Sequence, residues 1–327
     1  MNVGANVGIT ALGTYLPEKI LHNKDLELTL ETTDEWIRSR TGIQARHIAA
    51  DDQFSSHLAI AAVENLVKKH GAAVLEDIDL VIVATATPDA YFPSTAALVQ
   101  GHFGLKAAAF DIMVACAGWV YALNVARGQI VAGTSQKVLV IGAETFSKIV
   151  NWYDRNTAVL FGDGAGAAIL EAVPTGFGFA GFYWGADGKG AKFLHSGALG
   201  KRLPSGEPLE PFVVQNGREV FKFATRIMPE AILQVVKNAA WSLEQVDRIV
   251  PHQANARIIE AASQRLGLDP SKFVVSIERH ANNSAATIPL ALEHGINHDQ
   301  IKKGDKVVLV GFGGGLAWSA AALTWAY

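Results

Sequence analysis

The chain has 327 residues, half of them apolar, enough for one large domain or two closely packed ones around a sizeable core. A formal charge of −3, from 28 basic and 31 acidic side chains, argues against a nucleic-acid binder, which would usually carry a basic stripe, so any anionic ligand must meet a local patch. A single cysteine allows neither an internal disulfide nor a Cys-x-x-Cys metal site, and no stretch reads as a secretory leader or approaches the roughly 20 apolar residues of a membrane span, so a cytoplasmic protein with no membrane partner is expected.

In chain order, apolar residues at three- and four-residue spacing predict a helix from Ser55 to Gly71, followed by an acidic turn and a buried strand across Glu76 to Val83. A strand over Ala109 to Val114 leads into the small-residue elbow Cys116-Ala117-Gly118 and a helix from Trp119 to Gln129. Lys137 to Gly142 reads as a further strand, and Pro174 with nearby glycines marks a boundary around Ala172 to Thr175.

The second part repeats the pattern: a helix over Val220 to Trp241, an acidic turn and strand over Glu244 to Val250, and a strand over Phe273 to Ile277. An elbow at Asn282 to Ala286, a helix over Ile288 to His294 and a strand over Lys306 to Gly311 complete it. The offset is about 168 positions, the mark of a duplicated unit rather than a short-period solenoid. Two halves are therefore expected, 1–173 and 174–327, each an α/β unit with a largely parallel sheet. The offset brings Cys116 beside Asn282 to Ser284, so paired elbows near a pseudo-twofold axis would let distant residues share one pocket.

Cys116 is either an inert core residue or a nucleophile; its place at a helix start would lower the thiol pKa, and its small neighbours leave room for a carbonyl. His252 follows a strand end, where parallel sheets place ligands, and either moves a proton or is a satisfied structural residue. His280 and His294 lack that context and read as structural or exposed. Gly311 to Gly315 either brings backbone N–H groups to a reacting oxygen or makes a tight turn, whereas Gly162 to Ala167 fits neither nucleotide motif and reads as close packing between the halves.

Five ordered segments resemble the thiolase-fold condensing enzymes, in particular the β-ketoacyl-acyl-carrier-protein synthase III family. They are Thr33 to Ile37 with Arg40 to Ile43, Asp111 to Gly118, Phe161 to Ala168, Pro251 to Asn255, and Phe312 to Gly315. The resemblance implies a five-layered αβαβα fold, a homodimer, and a catalytic triad of Cys116, His252 and Asn282, with an oxyanion hole from the backbone N–H groups of Cys116 and Gly314. Asn282 rather than Asn283 aligns with the catalytic asparagine.

It further implies that acyl-CoA enters past Trp36, Arg40, Arg155 and Arg257, and that Phe92 reaches the neighbouring subunit's acyl tunnel. Malonyl-acyl carrier protein would dock on Lys222, Arg257 and Arg265. CoA enters as substrate and no cofactor is implied. Asn282 in the third position separates this pattern from the Cys-His-His elongating synthases, and the lone cysteine separates it from thiolases that need a second. The rivals are a related acyltransferase or ketosynthase of secondary metabolism with the same triad, a Cys-His-Asn amidase or protease, and a non-catalytic nucleotide-binding module.

Overall fold

The computed structural model describes residues 6–327, so the first five positions of the expected half 1–173 lie outside it. Five strands form the first sheet: β1 (Val7–Tyr15), β2 (Leu80–Ala84), β3 (Ala108–Ile112), β4 (Val138–Thr145) and β5 (Asp163–Ala172), in spatial order β1-β5-β4-β2-β3. Four form the second: β6 (Gly178–Ala186), β7 (Arg248–Pro251), β8 (Lys306–Gly313) and β9 (Ala317–Thr324), in order β7-β8-β9-β6. β2 and β4 are buried along their whole length, which is why 80–84 and 138–143 read as unbroken apolar runs rather than alternating ones.

The expectation of largely parallel sheets is corrected. β2 pairs in parallel with β3 and β4, and β7 with β8, but β5, β9, β1 and β6 all pair antiparallel. β8 and β9 are joined by the short glycine turn after Gly313, too short for the crossover that a parallel neighbour requires.

Helices α1 (Asp34–Thr41), α2 (Ser55–His70), α3 (Gly118–Ala132), α4 (Gly217–Asn238), α5 (Ala256–Leu266) and α6 (Thr287–Asn297) supply the other layers. α3 and α6 lie between the sheets, where Trp119, Leu123, Ile288 and Leu292 share one apolar core with Ile82, Val140, Val307 and Leu309. α2 covers the outer face of the first sheet and α4 with α5 that of the second, giving the five-layered αβαβα arrangement.

Glycines make the inner contact possible. A Cβ at Gly166 would stand 2.4 Å from Pro289 Cβ, and one at Gly142 would stand 2.6 Å from the Ala285 carbonyl oxygen. The Gly162 to Ala167 run is thus close packing against α6 and the turn that precedes it.

The expected strand from Phe273 to Ile277 does not form. Phe273 makes one bridge to Ile249, and beyond it the Gln253 amide takes over, donating to Val274 O at 3.1 Å and accepting from Ser276 N at 2.9 Å. Ile277–His280 is then a single helical turn. With its backbone satisfied by a side chain, this segment needs no neighbouring strand.

Candidate active site

The two elbows have the same backbone. Ala115 takes φ 42° ahead of the turn Ala115–Ala117 and α3, and Ser284 takes φ 48° ahead of the turn Ser284–Ala286 and α6. Both are non-glycine residues in the left-handed region, a local strain held in place by the buried residues of each turn, Cys116 and Ala117 in the first and Ser284 to Ala286 in the second. Their packing brings Cys116, His252, Asn282, Gly313 and Gly314 onto one cavity of about 150 Å³, walled mostly by apolar side chains such as Phe161, Leu194 and Phe312.

Cys116 is 5% exposed, and the backbone N–H groups of Cys116 and Gly314 lie near enough to its sulfur to favour the thiolate slightly. A Cβ at Gly313 would lie 2.7 Å from Cys116 Cβ and 3.0 Å from Sγ, so only glycine lets the loop approach this closely. Burial pushes the thiol pKa up to about 12, and the Glu144 carboxylate adds to the rise. This corrects the expectation of a thiol activated by its helix start. α3 begins only at Gly118, and the partial charge of a helix terminus is smaller than the loss of water around a buried thiolate.

Glu144 on β4 lies beneath the elbow, fully buried, accepting from Thr87 Oγ1 at 2.7 Å, Ala86 N at 3.0 Å and, across the halves, Ala285 N at 3.4 Å. Burial raises its pKa to about 7. The Ser284 hydroxyl lies beside both the thiol and this carboxyl without a closed hydrogen bond to either.

His252 leaves β7 with its backbone N–H donated to Val310 O at 2.7 Å. Its ring packs edge-on against Phe312, with centroids 5.3 Å apart, and Nδ1 lies 2.6 Å from Thr287 Oγ1. Burial lowers its pKa to about 3, so the imidazole is neutral in this setting.

Asn282 and Asn283 separate cleanly. Asn282 Oδ1 accepts from Ser284 N at 2.9 Å, which leaves its amide nitrogen for the cavity it lines. Asn283 turns away and donates to Asp163 O at 2.9 Å. The backbone at Leu160 and Gly162 holds this placement, because Asn282 N donates to Leu160 O at 3.1 Å and Gly162 N donates to Asn282 O at 3.0 Å.

Toward the surface, α1 starts on Thr33, whose hydroxyl accepts from Trp36 N, and ends on left-handed Gly42. Asn255 caps α5 through Arg257 N at 2.9 Å and donates to Arg40 O at 3.0 Å, tying together the helices that carry Arg40 and Arg257. The Arg155 guanidinium stacks directly on Trp36, 4.9 Å from the ring centre, and Arg257 lies 5.5 Å over Phe221 at the cavity rim.

Phe92 is 85% exposed and does not line the cavity of its own chain. Arg265 is exposed, while Lys222 is paired with Glu219 at 2.7 Å. Glu144 and Thr287 escaped the sequence reading, and Ser284 was placed in the elbow without a role of its own. The duplicated offset matches Thr287 to Gly118, the first residue of each inner helix, and is the one signal that pointed near it.

Among the described residues no cluster of three or more His, Cys, Asp or Glu could hold a metal ion, and no helix is long and apolar enough to cross a membrane. Five layers built from duplicated halves, with a cysteine, a histidine and an asparagine on one buried cavity between them, define a condensing enzyme of the thiolase fold. The family models for 3-oxoacyl-acyl-carrier-protein synthase III match residues 110–188 and, for its C-terminal part, 236–325.

The β-ketoacyl-acyl-carrier-protein synthase III of Deinococcus deserti is 47% identical over 98% of this chain and 91% of its own length. That of Symbiobacterium thermophilum is 48% identical over 98% of each. The crystal structure of the Thermus thermophilus synthase III superposes with a TM-score of 0.96 at 52% identity, covering 97% of this chain and 99% of that one. The chain belongs to the β-ketoacyl-acyl-carrier-protein synthase III family, and it is an acyltransferase of the initiating condensing class in fatty-acid synthesis.

Proposed function

We propose that Cys116 takes an acyl group from a short acyl-CoA and that His252 and Asn282 then serve the decarboxylating condensation with malonyl-acyl carrier protein. The observation that carries this is the convergence of all three side chains, with the Gly314 backbone, on one mostly apolar cavity. The sulfur attacks the thioester carbonyl while the N–H groups of Cys116 and Gly314, both near the sulfur, stabilise the tetrahedral oxygen. In the second half-reaction donors on Asn282 and His252 face the thioester oxygen that gains charge as carbon dioxide leaves.

The experiment is intact-mass acylation beside carbon dioxide release for Asn282→Ala. Acylation should persist while decarboxylation falls about a hundredfold to a thousandfold, the usual effect of removing one such donor. A variant that decarboxylates at the wild-type rate would overturn the role.

The same reading brings CoA in past Trp36, Arg40, Arg155 and Arg257, as substrate with no cofactor, and docks the carrier protein near Lys222, Arg257 and Arg265. The Trp36–Arg155 stack leaves no gap for a purine between them, so adenine entry requires Arg155 to swing away or the purine to use the other face of the indole. Phe92 and the edge strand β3, with exposed Phe110 and Met113 beside it, favour a homodimer in which Phe92 enters the partner's tunnel. A cytoplasmic setting and a division into halves at 173/174 complete the reading; the first sheet draws its strands from residues 7–172 and the second from 178–324.

A role in secondary metabolism has one observation behind it: the priming β-ketosynthase of the R1128 polyketide pathway superposes with a TM-score of 0.90 at 32% identity. The higher identities to fatty-acid synthases III favour the primary role. Assay with malonyl-acyl carrier protein against alternative acceptors decides between them.

A further inference from the structure

One atom, Thr287 Oγ1, lies within hydrogen-bond distance of both His252 Nδ1, at 2.6 Å, and the Ser284 carbonyl oxygen, at 3.0 Å. All three residues are buried. A hydroxyl has one proton and two acceptor sites. Sending that proton to Nδ1 would leave two oxygens facing each other at the Ser284 contact with nothing between them. Sending it to the carbonyl leaves Oγ1 to accept from an Nδ1–H, and both contacts become hydrogen bonds. The carbonyl also receives the Thr287 backbone N–H, and its two lone pairs accommodate both donors. Since an unpaired buried polar group is costly, the fully bonded arrangement wins.

We propose that Thr287 is a positioning residue whose hydroxyl oxygen accepts the Nδ1 proton of His252 and so holds the ring in the tautomer whose Nε2 is free to take the proton of Cys116. The inference rests on the assignment of Cys116 and His252 to the reaction made above. It supplies what the buried thiol lacks, a base that acts as the sulfur attacks.

The proton can be followed through the cycle. In acylation the S–H bond of Cys116 breaks, its proton bonds to Nε2, and the sulfur attacks the thioester carbonyl. The carbon–sulfur bond to CoA breaks, and the CoA thiolate takes the Nε2 proton and leaves as the thiol, so the buried ring is neutral again in the acyl-enzyme. When the malonyl group enters, its carboxylate charge offsets a proton taken from solvent onto Nε2, and the ring donates from Nδ1 to Thr287 and from Nε2 to the enolate oxygen formed as carbon dioxide leaves. When the enolate carbon attacks the acyl-cysteine carbonyl, Cys116 sulfur is expelled and takes the Nε2 proton, which restores the resting thiol and the neutral ring.

The test pairs Thr287→Val, which keeps the shape and loses the hydroxyl, with Thr287→Ser, which keeps the hydroxyl. Acyl transfer to Cys116 is timed by intact mass, and the His252 tautomer is read by NMR on enzyme labelled with ¹⁵N-histidine. The resting wild-type enzyme should carry its proton on Nδ1. Thr287→Val should acylate about ten- to a hundredfold more slowly, from the unpaired buried donor, and Thr287→Ser should recover to within a few-fold. Finding Nε2–H in the resting wild-type enzyme overturns the proposal, as does a Val variant that acylates normally while His252→Ala does not. If His252→Ala itself acylates and condenses at wild-type rates, the underlying assignment fails instead. Should the Val variant not fold, the wild-type spectrum alone decides.

Discussion

Gly313→Ala tests whether the glycine loop and the nucleophile form a rigid unit. The added methyl would stand 2.7 Å from Cys116 Cβ, 3.0 Å from Sγ and 3.2 Å from Cys116 N. Ordinary carbon–carbon contact is about 3.5 to 4.0 Å, so one side must retreat by about 1 Å. Cys116 is held in a turn behind strained Ala115, and Gly313 ends a buried strand, so the contact can be relieved only by a shift of the thiol or the loop toward the cavity. Overpacking of this kind costs about 1 to 3 kcal/mol. A displacement near 1 Å at the reacting atom also slows chemistry about a hundredfold. Acylation of Cys116 from acyl-CoA, followed by intact mass, should therefore fall about a hundredfold while the fold survives with a lowered Tm. Wild-type acylation together with an unchanged Tm would refute the rigid-contact argument.

Three further outcomes follow from the geometry. Glu144 has a folded-state pKa raised by burial to about 7 from 4.5, so the folded chain holds a proton that the unfolded chain has released across that window. Its contribution is full below pH 4.5 and is lost as pH rises to 7, about 3 kcal/mol in all. Urea unfolding should show Glu144→Gln gaining relative to wild type between those limits, and parallel profiles would count against it. Trp36→Ala should raise the KM for acyl-CoA about tenfold through lost stacking, with the maximal acylation rate retained; an unchanged KM would remove Trp36 from the entrance. Arg257→Glu should weaken carrier-dependent condensation more than acylation from CoA, and more at low salt. Equal loss in both half-reactions would dismiss the docking role.

The elements around the site were legible because they are local. Fully buried β2 and β4 and amphipathic α2 and α4 carry their pattern in adjacent residues, and the duplicated offset exposed the two elbows. The motifs at Cys116, His252, Asn282 and Gly314 are likewise contiguous stretches, and all four converge on the cavity. Sheet direction was not legible, since a buried strand reads the same whichever way its neighbour runs. Nor was the missing strand after Phe273, where a glutamine side chain 21 and 23 residues away in sequence takes the backbone's hydrogen bonds.

What the amino-acid order determined by itself was therefore the inventory: duplicated α/β units, one reactive-looking cysteine, and partners of the right chemical type at strand and helix ends. Tertiary structure decided the electrostatics. The thiol pKa rises because residues from both halves close over Cys116, a burial that no neighbour in sequence announces. Asn282 was separated from Asn283 by which amide meets Asp163, and His252 found its partner in Thr287 across 35 positions. Hydrogen bonds and desolvation depend on distances in space, and those exist only once the two halves have packed.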